Sequence, residues 1–160
     1  MSNELCQPES KIDDLKPVKR RISKIKEPEK VYPFFEITTN PGRVEILFRD
    51  LDSRSELNCN ENWRVRHARH KKQKRAVTMA LITVKDHIAL PCKITFVRLA
   101  KQFLDKHDNL PSSQKYLLDQ TCAELLNDFR PGRADNDDRL SFFYDQEKAK
   151  KKGVKIVFEF

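Results

Sequence analysis

Apolar positions are sparse at the start of the chain and become periodic only after residue 30. Residues 1–30 carry Pro8, Pro17, Pro28 and the basic run "KPVKRRISKIK" without an apolar period, so they read as a flexible basic arm. The stretch "VYPFFEITTNPGRVEILFRDLDS" predicts one or two strands broken by a turn at Asn40-Pro41-Gly42. Val44, Ile46 and Phe48 alternate with polar neighbours, the period of a half-buried strand. After the polar loop "SRSELNCNEN", Val77, Leu81, Val84 and Ile88 recur at spacings of four, three and four. That spacing predicts a helix over 62–88 with one apolar stripe. "PCKITFVRLA" reads as a strand opened by Pro91. "PSSQKYLLDQTCAELLNDF" reads as a second helix, with Pro111 in its first turn and Leu118, Cys122, Leu125 and Phe129 as its buried face. Beyond the loop "RPGRADNDD", the segments "RLSFFYDQE" and "VKIVFEF" predict a hairpin around the lysine-rich "KAKKKG". Its last strand alternates through Val154, Ile156, Phe158 and Phe160. The order of elements predicts an α+β class: a small mixed sheet with two main flanking helices, in a single domain over residues 31–160.

Composition narrows the partners. The chain has 160 residues and a formal net charge of +8, and its pI is about 9.4. Such an excess favours polyanions, nucleic acid before an anionic membrane surface. No apolar run approaches the ~18 residues of a membrane span, and the N-terminus "MSNELCQPES" lacks a signal-peptide core. Cys6, Cys59, Cys92 and Cys122 are scattered without a CxxC pair, which argues against a zinc knuckle and for reduced thiols in a cytoplasm.

The charge is unevenly distributed. Residues 63–75, "WRVRHARHKKQKR", hold Arg64, Arg66, Arg69, Lys71, Lys72, Lys74 and Arg75 and no acid. A solvated helix face usually mixes signs at i,i+4. This one does not, so the first half of the helix, His70 included, is expected to grip phosphates. His67 and His70 lie three apart, but with no carboxylate or thiol in the same turn they are better read as further DNA contacts than as metal ligands.

Between Asp105 and Asp138 the balance reverses, with eight acids against four bases. Acids here repel DNA unless a cation neutralises them, and carboxylate oxygens suit Mg²⁺ or Mn²⁺. Asp105 and Asp108 follow the strand "KITFVRL", while Asp135, Asp137 and Asp138 precede the strand "RLSFFYDQE". If those strands end at one edge of the sheet, both acid groups meet there. Lys115 is then placed to reach a phosphate, with Asp119 one turn further along the same helix face. Taken singly, the acids have plainer readings: Asp108 or Asn109 as a helix cap, Asp135, Asp137 and Asp138 as a solvated loop. The lack of glycine at the sixth position and Arg139 at the fifth argue against a calcium loop.

The segments "KITFVRLAKQFLDKHDNLPSSQKYLLDQTCAELLNDF", "DNDDRLSFFYDQEK" and "VKIVFEF" together resemble the RusA-type endodeoxyribonucleases, the Holliday junction resolvases of phages and prophages. The elements that carry the resemblance are "HDNL" (Asp108, Asn109, Leu110), Lys115, Asp119 and Asp137-Asp138, with "NENWRVRHARHKKQKRAV" similar to the family's Asn-containing loop and basic helix. The resemblance covers roughly 57–160. It implies a homodimeric, cytoplasmic, bacterial or phage-encoded enzyme that cuts four-way DNA junctions in recombination and repair. The metal, Mg²⁺ or Mn²⁺, would be held by Asp105, Asp108 and one or more of Asp135, Asp137 and Asp138, with Lys115 assisting catalysis. Lys106 and His107 separate Asp105 from Asp108 where the family packs its acids closer. That departure keeps open an inactive relative that binds junctions without cutting; a basic nucleoprotein whose acids are only surface is the remaining alternative.

Overall fold

The computed structural model describes residues 35–57, 60–130 and 134–160, and the basic arm lies outside the described residues. Strand β1 (Phe35–Asn40) turns through Pro41-Gly42 into β2 (Arg43–Arg49), with Asn40 opposite Arg43. Gly42 has φ +69, which the turn requires and which a side chain disfavours. Helix α1 (Trp63–Val84) follows and tightens into a short 3-10 turn at Lys85–His87, matching the element expected over 62–88. Strand β3 (Cys92–Ala100), helix α2 (Asn109–Leu126), strand β4 (Leu140–Lys148) and strand β5 (Gly153–Glu159) complete the chain. The result is an α+β fold with a five-stranded mixed sheet in the order β1-β2-β5-β3-β4.

Two expectations fail for identifiable reasons. The segments β4 and β5 do not form a hairpin. β5 pairs antiparallel with both β2 and β3, while β4 lies parallel to β3 at the edge. A terminal hairpin would have left β5 with one unpaired edge. At the centre it buries Val154, Ile156, Val157 and Phe158, and its backbone is paired on both sides. The expected buried face of the second helix also shifts. Asn127 adopts the left-handed conformation (φ 51) and its N–H donates to the Ala123 carbonyl, which stops α2 before Phe129. Phe129 is 61% exposed. Cys122 is buried as expected and Leu118 and Leu125 are partly buried against the core, while the other buried positions are Leu110, Ser113, Gln114, Leu117, Thr121, Ala123 and Glu124.

The core lies between the sheet and the two helices. Val44, Ile46 and Phe48 of β2, Ile94 and Phe96 of β3, and Val154, Ile156 and Phe158 of β5 meet Ala76, Val77, Ala80, Leu81 and Val84 of α1 and Leu117 and Cys122 of α2. Each large side chain so buried is worth about 1.5–3 kcal/mol against leaving it in water. The helices pack side by side in the same direction. His70 stacks on Tyr116 with ring centroids 3.5 Å apart. Further along both helices, Thr78 donates to Glu124 at 2.6 Å and accepts from Gln120 at 2.9 Å. The two N-terminal halves are therefore neighbours.

Candidate nucleic-acid interface

The basic helix is sorted by the loop that precedes it. Asn62 caps α1, its side-chain oxygen accepting from the Arg64 N–H at 2.9 Å. Arg69 points inward, only 8% exposed, and donates to Glu56 at 2.6 Å and Glu61 at 2.8 Å. Burial opposes the charge on Arg69, but the hydrogen bonds to Glu56 and Glu61 outweigh it and hold its pKa above the ordinary arginine value. Glu56 also lies 3.0 Å from His70 Nε2 and 3.7 Å from Arg66 Nε. Burial pushes the Glu56 carboxyl up, and hydrogen bonds from Arg69 and His70 push it down further, leaving it below the usual range. Arg69 and His70, expected to contact DNA, are thus committed to internal partners, and Arg66 shares the same carboxylate.

The remaining cations of α1 face outward. Arg64, Lys71, Lys72, Lys74 and Arg75 are exposed, and among the described residues none has a carboxylate in ion-pair contact. Arg64, His67, Lys71 and Arg75 recur at helical spacing opposite the buried Gln73, Ala76, Ala80 and Val84. The exposed cations thus form one solvent-facing row flanked by Lys72 and Lys74. Lys74 Nζ sits 5.9 Å from the Tyr116 ring centroid, on the side facing α2.

The acids divide into separate groups. Asp105 and Asp108 are exposed at the start of α2. Lys106 and His107 form the turn between them, and the Asp105 carboxylate accepts from the backbone N–H groups of His107 and Asp108, both at 3.4 Å. Asn109 and Ser112 anchor the other flank: Ser55 Oγ donates to Asn109 Oδ1 at 2.6 Å, and the Glu56 N–H donates to Ser112 at 2.9 Å. The "PSS" segment therefore ties the start of α2 to the loop that neutralises Arg69.

The expectation that all five acids meet at one sheet edge is not met. β3 and β4 are parallel, so the end of one strand and the start of the other lie at opposite ends of the sheet. Leu104, just before Asp105, exchanges hydrogen bonds of 2.8 Å with Gln146 near the end of β4. Asp137 and Asp138 precede Leu140, six residues earlier on that strand, which is about 20 Å away at ~3.3 Å per residue. Asp137 is also engaged, because Arg139 donates to both of its oxygens at 2.8 and 2.7 Å. Those bonds hold its carboxyl down at about 2. Asp138 and Asp135 are exposed.

Lys115 belongs to a third grouping. Asp119 is half-buried on α2. Burial raises its carboxyl above the usual range, Asp135 adds to that, and Lys115 and Lys74 partly offset it. The same Asp135 and Asp119 rank behind burial in pushing the Cys122 thiol up to about 12. Asp119, Asp135, Lys115 and Lys74 thus share one electrostatic neighbourhood on the outer flank of α2. Asp119 lies eleven residues from Asp108, about 16 Å along the helix axis, too far for one ion to bridge both. Among the described residues, no three His, Cys, Asp or Glu side chains gather as a metal site. The five acids expected to bind metal do not fit a single ion within one chain.

The sequence missed the role of Glu56 and Glu61. The available signal was their position as the two acids in the polar loop just before an acid-free basic helix. No protein-family model and no curated protein matches the chain. No helix among the described residues is long and apolar enough to cross a membrane.

Proposed function

We propose that the chain binds branched DNA through the outward row of α1 and cleaves it as a divalent-metal-dependent endonuclease of the RusA type, acting as a homodimer. What carries this reading is the parallel packing of α1 on α2, because it sets Lys74, next to Lys71 and Arg75 on the outward side of α1, beside the stretch of α2 that bears Lys115 and Asp119. Phosphates held along α1 would pass directly over carboxylates, the juxtaposition a phosphodiesterase needs. Mg²⁺ or Mn²⁺, when bound, would activate water and neutralise charge on the scissile phosphate. The candidate holders are the Asp105–Asp108 pair and the Asp119–Asp135 pair. Lys115 would hold a non-bridging phosphate oxygen. A two-fold dimer would present two such centres to the two strands of a junction.

A second reading, binding without cutting, is favoured by the division of the acids into separated groups and by the engagement of Asp137 with Arg139. Single-turnover cleavage of a synthetic four-way junction in Mg²⁺ or Mn²⁺ separates the two readings. On the endonuclease reading Asp108→Asn lowers the cutting rate at least about 100-fold while leaving junction affinity within about twofold. Asp119→Asn tests the other pair in the same way. Normal cutting by both variants removes these carboxylates from the chemistry.

A further inference from the structure

The loop that joins β4 to β5 has to cross the carboxyl end of β3, because β5 lies on the far side of that strand. Two strand spacings of about 4.8 Å set a span of roughly 10 Å. The segment that makes the crossing is Lys148-Ala149-Lys150-Lys151-Lys152. It is pinned at both ends: the Ala149 N–H donates to the Ala100 carbonyl at 2.9 Å, and the Lys152 carbonyl accepts from the Asp50 N–H at 3.1 Å. Gly153 then enters β5 so close to β2 that a Cβ there would meet the Phe48 carbonyl oxygen at 2.7 Å. The lysines are therefore displayed from a fixed base rather than a loose tip.

Their charges are largely uncompensated. Lys101, Lys148, Lys150 and Lys151 are exposed, and among the described residues none has a carboxylate in ion-pair contact. Lys150, Lys151 and Lys152 rim a cleft of about 380 Å³ floored by Leu99 and Gly153. Lys101, Lys148 and Lys150 rim the cleft next to it. A third cleft runs from Lys152 to Lys72 of α1. Asp50 and Asp52 also line it, but Asp52 is already matched by Arg54 at 2.9 Å and Lys152 at 3.3 Å. The lysine loop and the outward row of α1 thus form one continuous cationic track with Lys72 and Lys152 at the joint.

We infer that the β4–β5 lysine loop is a second contact for the phosphate backbone of the same DNA, engaging a stretch of duplex beyond the one held by α1. This rests on the DNA-binding reading of α1. A track with a rigid base and long cationic side chains, its acids confined to Asp50 and Asp52 at the joint, fits a rod-shaped polyanion that spans both elements. The loop supplies position and affinity, not sequence choice.

Fluorescence anisotropy of the full chain on a labelled linear duplex, from about 50 to about 300 mM KCl, tests the inference. Lys150→Gln combined with Lys151→Gln removes both charges and leaves polar side chains in their place, and the melting temperature stays at that of the parent. The expected result is a fall of about 1.8 in the slope of log affinity against log salt, and roughly 60-fold weaker binding at about 100 mM salt. An unchanged slope in this variant, with a reduced slope for Lys71→Gln combined with Arg75→Gln, overturns the loop contact and leaves the α1 reading standing. No binding by the parent chain to this duplex or to a labelled four-way junction at the lowest salt overturns both.

Discussion

Arg69 offers the sharpest separation between a structural and a DNA-contacting cation. It sits in the acid-free run that marks the basic helix, yet its side chain is only 7% exposed and is held by Glu56 and Glu61, themselves 18% and 13% exposed. Arg69→Ala leaves two carboxylates in a poorly solvated pocket without their main counter-charge. Breaking a buried ion pair by removing one partner costs about 3–5 kcal/mol. For a folded unit of this size each kcal/mol is worth about 3–5 °C in melting temperature, so the expected drop is roughly 10–25 °C. Lys71→Ala, two residues along but exposed and without an ion pair, is expected to stay within about 0.5 kcal/mol of the parent. The assay is thermal unfolding near pH 7, with Glu56→Gln added to close a double-mutant cycle. A coupling energy of at least about 1 kcal/mol between positions 56 and 69 is expected. If Arg69→Ala melts within a degree or so of the parent and instead weakens DNA binding as Lys71→Ala does, the internal ion pair is not what holds this side chain.

Two further outcomes follow from the same geometry. Glu56 and Asp137 both have folded pKa values below their unfolded ones, Asp137 at about 2. Their contribution is therefore present above the ordinary carboxyl range of about 4 and is lost as pH falls through the folded values. A melting-temperature profile from about pH 7 down to about pH 2 should show a shallower acid limb for Glu56→Gln, starting from a lower plateau, and an unaltered limb would deny the linkage. Gly153→Ala places a methyl group 2.7 Å from the Phe48 carbonyl oxygen. It should cost about 1–3 kcal/mol in denaturant unfolding, and a neutral result would mean that β5 can move away from β2 freely.

The elements were legible because their apolar periods are clean. Val77, Leu81 and Val84 marked α1, and the alternation Val154, Ile156, Phe158 marked β5. Strand order was not legible, because periodicity records which face of a strand is buried and not which strands flank it. Placing β5 between β2 and β3 turned an expected hairpin into a crossover, and that changed the meaning of "KAKKKG" from turn filler to the cap of β3. The same limit applied to the acids. Asp105, Asp108 and the Asp135–Asp137–Asp138 group all stand near strand ends, but their meeting depended on the relative direction of β3 and β4, which only the pairing reveals. Likewise the run of seven cations contained no local hint that Glu56, thirteen residues before Arg69, would claim Arg69 and His70 for the interior. Asp119 and Lys115, one turn apart on α2, were legible as a pair. Asp135 joins them only through the return of the chain after α2.

The most direct test of the account is single-turnover incubation of the full-length protein with a labelled four-way junction and a matched linear duplex, in Mg²⁺, in Mn²⁺ and in chelator. Paired, symmetric cuts in the junction that require the metal are expected, with the linear duplex left intact. Tight junction binding with no cut in either metal would contradict the endonuclease and leave the protein as a binder of branched DNA.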